Sequence, residues 1–165
     1  MKRSPDDVQG LIAELRNDLS QIGQLSDTNN RAAERIAAGA DDYLDYAALG
    51  YTIHNIYAVM ENACLRVAKF FENNLSDSSW HKDLLERMRL TIEGVRPALL
   101  DEETYLLLDE LRAFRHVFRT LYARPIDQDK IHLVQKKVPA ATERFIHAAE
   151  SYITELRRLH DTLTS

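Results

Sequence analysis

The segment RAFRHVFRTLY, residues 112–122, concentrates side chains that could bind and process a phosphodiester. It holds three arginines, one histidine and one tyrosine in eleven positions, although the whole chain has a net charge of −5. Planar guanidinium groups donate paired hydrogen bonds to phosphate, and imidazole exchanges protons near neutral pH. These residue types therefore favour recognition of a polyanion by a local basic patch.

The spacing within this segment is typical of a helix with two distinct faces. Its apolar stripe comprises Leu107, Leu111, Phe114, Phe118 and Leu121. A second face carries Arg112, Arg115, Arg119 and Tyr122, with His116 at its margin. Arginines one turn apart repel each other unless an anion is near. The face could bind an anion, or it could be solvated, with its arginines paired to Glu102, Asp109, Glu110 or acids of neighbouring helices.

Composition predicts that residues 1–165 form a single all-α domain with a sizeable core. Hydrophobic residues make up 45% of the chain, and five glycines and four prolines leave room for few turns. The acidic balance gives no overall attraction to nucleic acid or anionic membranes. No segment resembles a signal peptide or a membrane span, and the single cysteine, Cys64, cannot form an intrachain disulfide. We predict a cytoplasmic protein without metal or cofactor, since metal-ligand motifs and glycine-rich phosphate loops are not found.

The first helix is predicted from Ser4 to about residue 38. Ser4 is a good cap, Pro5 suits the first turn, and two aspartates follow near the positive end of the helix dipole. The apolar pattern stops at Gly39 and is interrupted near residues 28–30, so a break near Asp27 is the alternative. Its long apolar stripe suggests more surface than one bundle buries, which favours self-association.

Further helices are predicted over about residues 41–73, 80–90, from 101 to before Pro125, and 128–163. The apolar residues of the second cover more than one face, which marks it as the most buried element. Pro139 should kink or divide the last one. Long helices joined by short loops predict an up-and-down bundle of four to five helices.

The arginine-rich segment resembles the signature helix of the HEPN superfamily, in particular the HepT-like ribonuclease toxins. Their motif is an arginine, commonly followed by a polar residue, with a histidine five positions after the arginine and a tyrosine two further on. Arg115, His116 and Tyr122 match the arginine, the polar residue and the tyrosine. The segments YTIHNIYAVMENACLRVAKFFEN, WHKDLLERM and GVRPALLDEE are also similar to the family, over about residues 43–135.

One position departs from the family motif, because Thr120 stands where its histidine would be. In the family's mechanism the arginine holds the scissile phosphate and the histidine assists attack by the 2′-hydroxyl, without a metal. Threonine cannot act as a general base near neutral pH. His116, which lies four residues after Arg112, is the candidate substitute.

The resemblance implies an endoribonuclease toxin that forms a homodimer and is paired with a minimal nucleotidyltransferase antitoxin. The implied site comprises Arg112, Arg115, His116, Arg119, Thr120 and Tyr122, and the tyrosine could be nucleotidylated by the partner. One alternative is a catalytically degenerate HEPN protein that binds RNA or nucleotide, or serves as the binding subunit of a nucleotidyltransferase. Another is a structural bundle whose arginines form salt bridges only.

Overall fold

The computed structural model describes residues 3–72, 80–119 and 127–165, except the side chains of residues 80–82 and 119. Six helices lie in these ranges: α1 (Pro5–Ala37), α2 (Tyr43–Phe71), α3 (Trp80–Met88), α4 (Glu102–Arg119), α5 (Gln128–Gln135) and α6 (Val138–Thr164). The predicted all-α class is confirmed, and the helices share one hydrophobic core. No helix in the described ranges is both long and apolar enough to cross a membrane.

The expected fifth helix is divided into α5 and α6 at the proline that was predicted to kink or divide it. Pro139 occupies the first turn of α6, where its missing N–H is not needed. Inside a continuous helix the same ring would clash with the carbonyl one turn earlier. The division raises the number of helices in the described ranges to six.

Helix α1 begins as predicted and runs without a break to Ala37. The hydroxyl of Ser4 accepts a hydrogen bond from the Asp7 amide at 3.1 Å, and the Asp7 carboxylate accepts one from the Ser4 amide at 2.9 Å. Gly39 follows the end of the helix with a φ of 102°, a left-handed conformation that suits glycine. The alternative of a break near Asp27 is wrong.

The polar interruption near residues 28–30 is tolerated because Asn29 is a buried tertiary contact. Its Nδ2 donates to Thr52 Oγ1 on α2 and to Gln135 Oε1 on α5, both at 2.9 Å. The Gln135 Nε2 donates back to Asn29 Oδ1 at 2.7 Å. The amide therefore joins three helices where the apolar pattern fails.

We expect Asn29→Leu to lower the free energy of unfolding by about 1–3 kcal/mol, because the buried Thr52 hydroxyl and the partly buried Gln135 amide would each lose a hydrogen-bond partner. Urea unfolding followed by circular dichroism measures the change. Asn30→Leu is the matched control, since Asn30 is exposed and should change stability by less than about 0.5 kcal/mol. Equal effects of the two substitutions would contradict this role for Asn29.

Helix α2 is the central element, as its apolar composition predicted, and it contacts all five other helices. The excess apolar surface expected on α1 is not there, because the large side chains on its stripe pack against α2 and α6. Large apolar side chains are exposed instead near the start of α2, at Tyr43, Leu44 and Tyr51.

A buried ion cluster fixes the connection that leads from α3 into α4. The Arg96 side chain is 0% exposed, and its Nη2 donates to Glu72 Oε2 at 3.2 Å and to the Arg87 carbonyl at 3.0 Å. Its Nη1 donates to the carbonyls of Leu90 and Pro97. Arg87 also donates to Glu72, at 2.8 Å through Nε. The cluster ties the end of α2 to the segment before α4 and so sets where α4 begins.

Candidate functional site

Helix α4 carries the described part of the arginine segment, residues 112–118, and packs against α2. Its start is capped by Asp101, whose carboxylate accepts a hydrogen bond from the Thr104 amide at 2.7 Å. Leu108, Leu111 and Phe114 are buried in the core. This packing leaves the neighbouring Arg115 partly buried at the junction of the two helices.

Arg115 is held at that junction by a carboxylate from α2. Its Nη1 lies 3.3 Å from Glu61 Oε1 and 3.4 Å from Glu61 Oε2. The Arg115 side chain is 27% exposed, whereas that of Glu61 is only 8% exposed. The pair therefore joins a buried carboxylate to a guanidinium that still reaches the surface.

Tyr57 supports Glu61 from one turn earlier on α2. Its hydroxyl donates to Glu61 Oε2 at 2.9 Å. Burial, followed by the negative charge of Glu61, raises the pKa of Tyr57 far above its ordinary value. The hydroxyl therefore stays protonated and remains a donor, so Tyr57, Glu61 and Arg115 form a continuous chain of hydrogen bonds.

Arg112 has an acidic partner on its own helix. Its Nε donates to Asp109 Oδ1 at 2.8 Å, and this hydrogen bond raises the pKa of the guanidinium. Asp109 was one of the acids expected under the salt-bridge interpretation. The carboxylate of Glu110, another of them, lies 3.8 Å from Nζ of Lys137, the residue that caps the start of α6. Within the described residues, the arginines of the basic face are therefore paired with acids, Arg112 with Asp109 and Arg115 with Glu61.

The remaining predicted site residues are distributed as follows. His116 is exposed on α4, next to Arg115 in sequence. The side chain of Arg119 and the whole of Thr120 and Tyr122 lie outside the described residues.

His54 reaches the same junction from α2. Its ring stacks on that of Phe118, with centroids 4.5 Å apart and planes 12° apart. His54 lies in the most apolar helix of the chain, but its side chain is only partly buried. Phe118, which is itself partly buried on α4, covers one face of the ring.

Sequence reasoning missed Glu61, Tyr57 and His54 as members of this site. One signal was available, because a glutamate in the most apolar helix must be paired to be buried at acceptable cost. Tyr57 lies four residues before Glu61 and therefore on the same helical face. The sequence could not reveal that Arg115 is the cation opposite them.

Two further features of the described residues concern metal ligands and the single cysteine. Among the residues that the structure describes, no group of three or more His, Cys, Asp or Glu side chains could hold a metal ion. Cys64 is fully buried, and burial raises the pKa of its thiol to about 12, so it is a packing residue rather than a nucleophile.

Comparison with known proteins gives a family match that includes the residues of this junction. A family model described as HepT-like protein matches residues 48–156, which include α3 to α5, most of α2 and α6, and the Glu61–Arg115 junction. No curated protein and no solved structure gives a significant match. The matched range covers well over half of the 165 residues and includes the arginine-rich segment. The chain therefore belongs to the HepT-like family of HEPN-type helical proteins.

Proposed function

We propose that this HepT-like protein is a metal-independent endoribonuclease that acts as the toxin of a toxin–antitoxin pair. The observation that carries the proposal is the Arg115 guanidinium, held by buried Glu61 at the α2–α4 junction while about a quarter of its side chain is exposed. A guanidinium fixed in this way can donate paired hydrogen bonds to a phosphate and stabilise charge that develops during cleavage.

The surrounding residues supply further positive charge. Arg112 and Arg119 extend the basic face, and His116 is the sequence-based candidate for the proton carrier that Thr120 cannot be. Tyr122 matches the family tyrosine that a minimal nucleotidyltransferase could modify. A nucleotide on that tyrosine would bring negative charge to the arginines and compete with RNA, which gives a physical route to neutralisation.

The proposal includes a homodimer in the cytoplasm. The exposed apolar side chains near the start of α2 support self-association, since Leu44 is 71% and Tyr51 is 56% exposed. Sedimentation of the purified protein would measure the oligomeric state.

The decisive experiment is to incubate the purified protein with mixed RNA in EDTA and to analyse the ends of the products. We expect cleavage that leaves 2′,3′-cyclic phosphate and 5′-hydroxyl ends, as attack by the 2′-hydroxyl requires. A mock purification from cells without the gene controls for contaminating nuclease.

One alternative is favoured by a specific residue, the Thr120 that replaces the motif histidine. A catalytically degenerate member of the family would bind RNA or nucleotide, alone or as the binding subunit of a nucleotidyltransferase. Binding of RNA without any cleavage would establish this alternative. Failure to bind RNA at all would leave the ion pairs of Arg112 and Arg115 as purely structural contacts.

Glu61 is the positioning residue of the proposed site, and its charge opposes that of a bound phosphate. We expect Glu61→Gln to lower turnover about tenfold because the guanidinium is less firmly oriented. RNA affinity should be unchanged or higher, since a negative charge is removed near the phosphate. Separate measurements of turnover and of RNA affinity test whether turnover falls while affinity does not.

Asn62→Asp provides a matched control next to Glu61, because Asn62 is exposed on α2. It changes the charge by one unit in the opposite direction without touching the Arg115 pair. A loss of affinity in Glu61→Gln, with turnover intact, would contradict the positioning role.

A further inference from the structure

The proposed cleavage needs an imidazole close to Arg115, and two helices offer one. His116 follows Arg115 on α4 and so points about 100° away from it around the helix. Arg115 turns inward to Glu61, whereas His116 is exposed. A phosphate bound at the α2–α4 junction therefore lies to one side of His116.

His54 faces the junction itself. It stacks on Phe118, which lies one turn after Arg115 on α4. The two helices run in opposite directions here, since contacts join Arg115 to Glu61 and Phe118 to His54, seven residues earlier on α2. His54 and Arg115 thus line the same boundary between α2 and α4.

The spacing suits a single RNA linkage. Seven residues of helix separate Glu61 from His54, which is about 10 Å at about 1.5 Å per residue. An RNA linkage that bridges the Arg115 guanidinium, held at Glu61, and the His54 imidazole needs one hydrogen bond of about 2.8 Å at each end. The remaining distance corresponds to one ribose and its adjoining phosphate. The stack on Phe118 fixes the plane of the imidazole, and because Nδ1 is buried, Nε2 is the nitrogen that must meet the 2′-hydroxyl.

We propose that His54 is the catalytic base of this site and thereby takes the place of the missing motif histidine. This inference rests on the proposed ribonuclease function. His54 accepts the 2′-hydroxyl proton while the 2′-oxygen forms a bond to phosphorus and the bond to the 5′-oxygen breaks. The 5′-oxygen takes a proton from water, and the products are a 2′,3′-cyclic phosphate and a 5′-hydroxyl. Arg115 balances the charge on the phosphate oxygens throughout.

Among the described residues, the charged and titratable groups nearest His54 come from α2, α4 and α5. Tyr51, Tyr57 and Glu61 lie on α2 within two turns of it, and Arg115 lies one turn before its stacking partner on α4. On α5, His132 contacts Tyr46, two turns before His54, with Tyr46 Oη and His132 Nε2 3.2 Å apart.

The test compares cleavage by wild type, His54→Gln, His116→Gln and His147→Gln between pH 5 and 8. His147 is an exposed histidine on α6 outside the site and serves as the matched control. For wild type we expect the rate to rise with pH across this range, because only the deprotonated imidazole can accept the 2′-hydroxyl proton. His54→Gln should lose this rise and at least about 100-fold in rate. Added imidazole should partly restore His54→Ala, an effect that a purely structural histidine would not give.

Retention of the pH-dependent rise and of at least half the rate in His54→Gln would overturn the inference. So would loss of the rise in His116→Gln alone. If Arg115→Ala is inactive while His54→Gln is not, only the role of His54 fails. If wild type does not cleave RNA at all, the proposed nuclease fails and the inference fails with it.

If the His54 variants do not fold, wild-type protein can still decide the matter. RNA with a 2′-deoxy scissile residue cannot be cleaved and serves as the probe. The His54 ring signals in NMR should shift on binding this RNA, and the His147 signals should not. Unshifted His54 signals at saturating RNA would overturn the inference.

Discussion

Replacing Arg115 with alanine is expected to lower the rate of RNA cleavage by at least about 100-fold, the usual loss when one preorganised donor to a developing oxyanion is removed. RNA binding should weaken as well, because a charge-assisted contact to phosphate is lost. Arg115→Lys should be intermediate, since it keeps the positive charge but not the planar fork that donates two hydrogen bonds at once. Single-turnover cleavage of a defined RNA separates these effects.

The substitution also removes the Arg115 partner of the buried Glu61 carboxylate, so stability must be measured beside activity. Arg144→Ala is the matched control, because Arg144 is also ion-paired, at 2.7 Å to Glu103, but lies on α6. Arg144→Ala should retain full cleavage. The phosphate-binding role of Arg115 would be refuted if Arg115→Ala stayed folded and cleaved RNA as fast as this control.

The largest effect on stability is expected at Arg96. Arg96→Met should lower the free energy of unfolding by about 3–5 kcal/mol, because it breaks a buried ion pair from one side. The side chain is 0% exposed and donates to Glu72 and to three backbone carbonyls, which would all lose a donor. Guanidinium chloride unfolding measures the loss.

Arg144→Met is the appropriate comparison, since it breaks an exposed pair and should cost less than about 1 kcal/mol. A similar small loss in both variants would show that the cluster around Arg96 does not hold the connection to α4. Cleavage should decline in Arg96→Met as well, because the segment that sets the start of α4 is no longer fixed.

The same cluster gives stability a defined dependence on pH. Partial burial raises the pKa of Glu72, but hydrogen bonds and charges from Arg87 and Arg96 outweigh it and lower the pKa below its ordinary value of 4.5. A carboxylate with a lowered pKa in the folded state contributes stability that is present above about 4.5 and is lost as the pH falls through the folded value. Wild type should therefore lose more stability in acid than Arg96→Met.

The family, the helical class and most helix positions could be predicted from local pattern. Ser4 with Asp7 marked the start of α1, Gly39 its end, and Pro139 the division between α5 and α6. Such signals depend only on residues within one or two helical turns, so they can be interpreted without knowledge of the tertiary packing. Asn29 could not be interpreted in this way, because its partners are 23 and 106 residues away.

The sequence by itself determined that an acidic helical protein carries a local group of arginines, and that Thr120 replaces the histidine of the family motif. Only the tertiary structure decided which arginine is held by a buried acid and which histidine of α2 packs against α4. Arg112 and Arg115 are equivalent by spacing, yet one pairs with Asp109 on its own helix and the other with Glu61 on α2. Helical periodicity assigns a residue to a face, but the side chains opposite that face depend on how α2 and α4 pack, and contacts distant in sequence determine that packing.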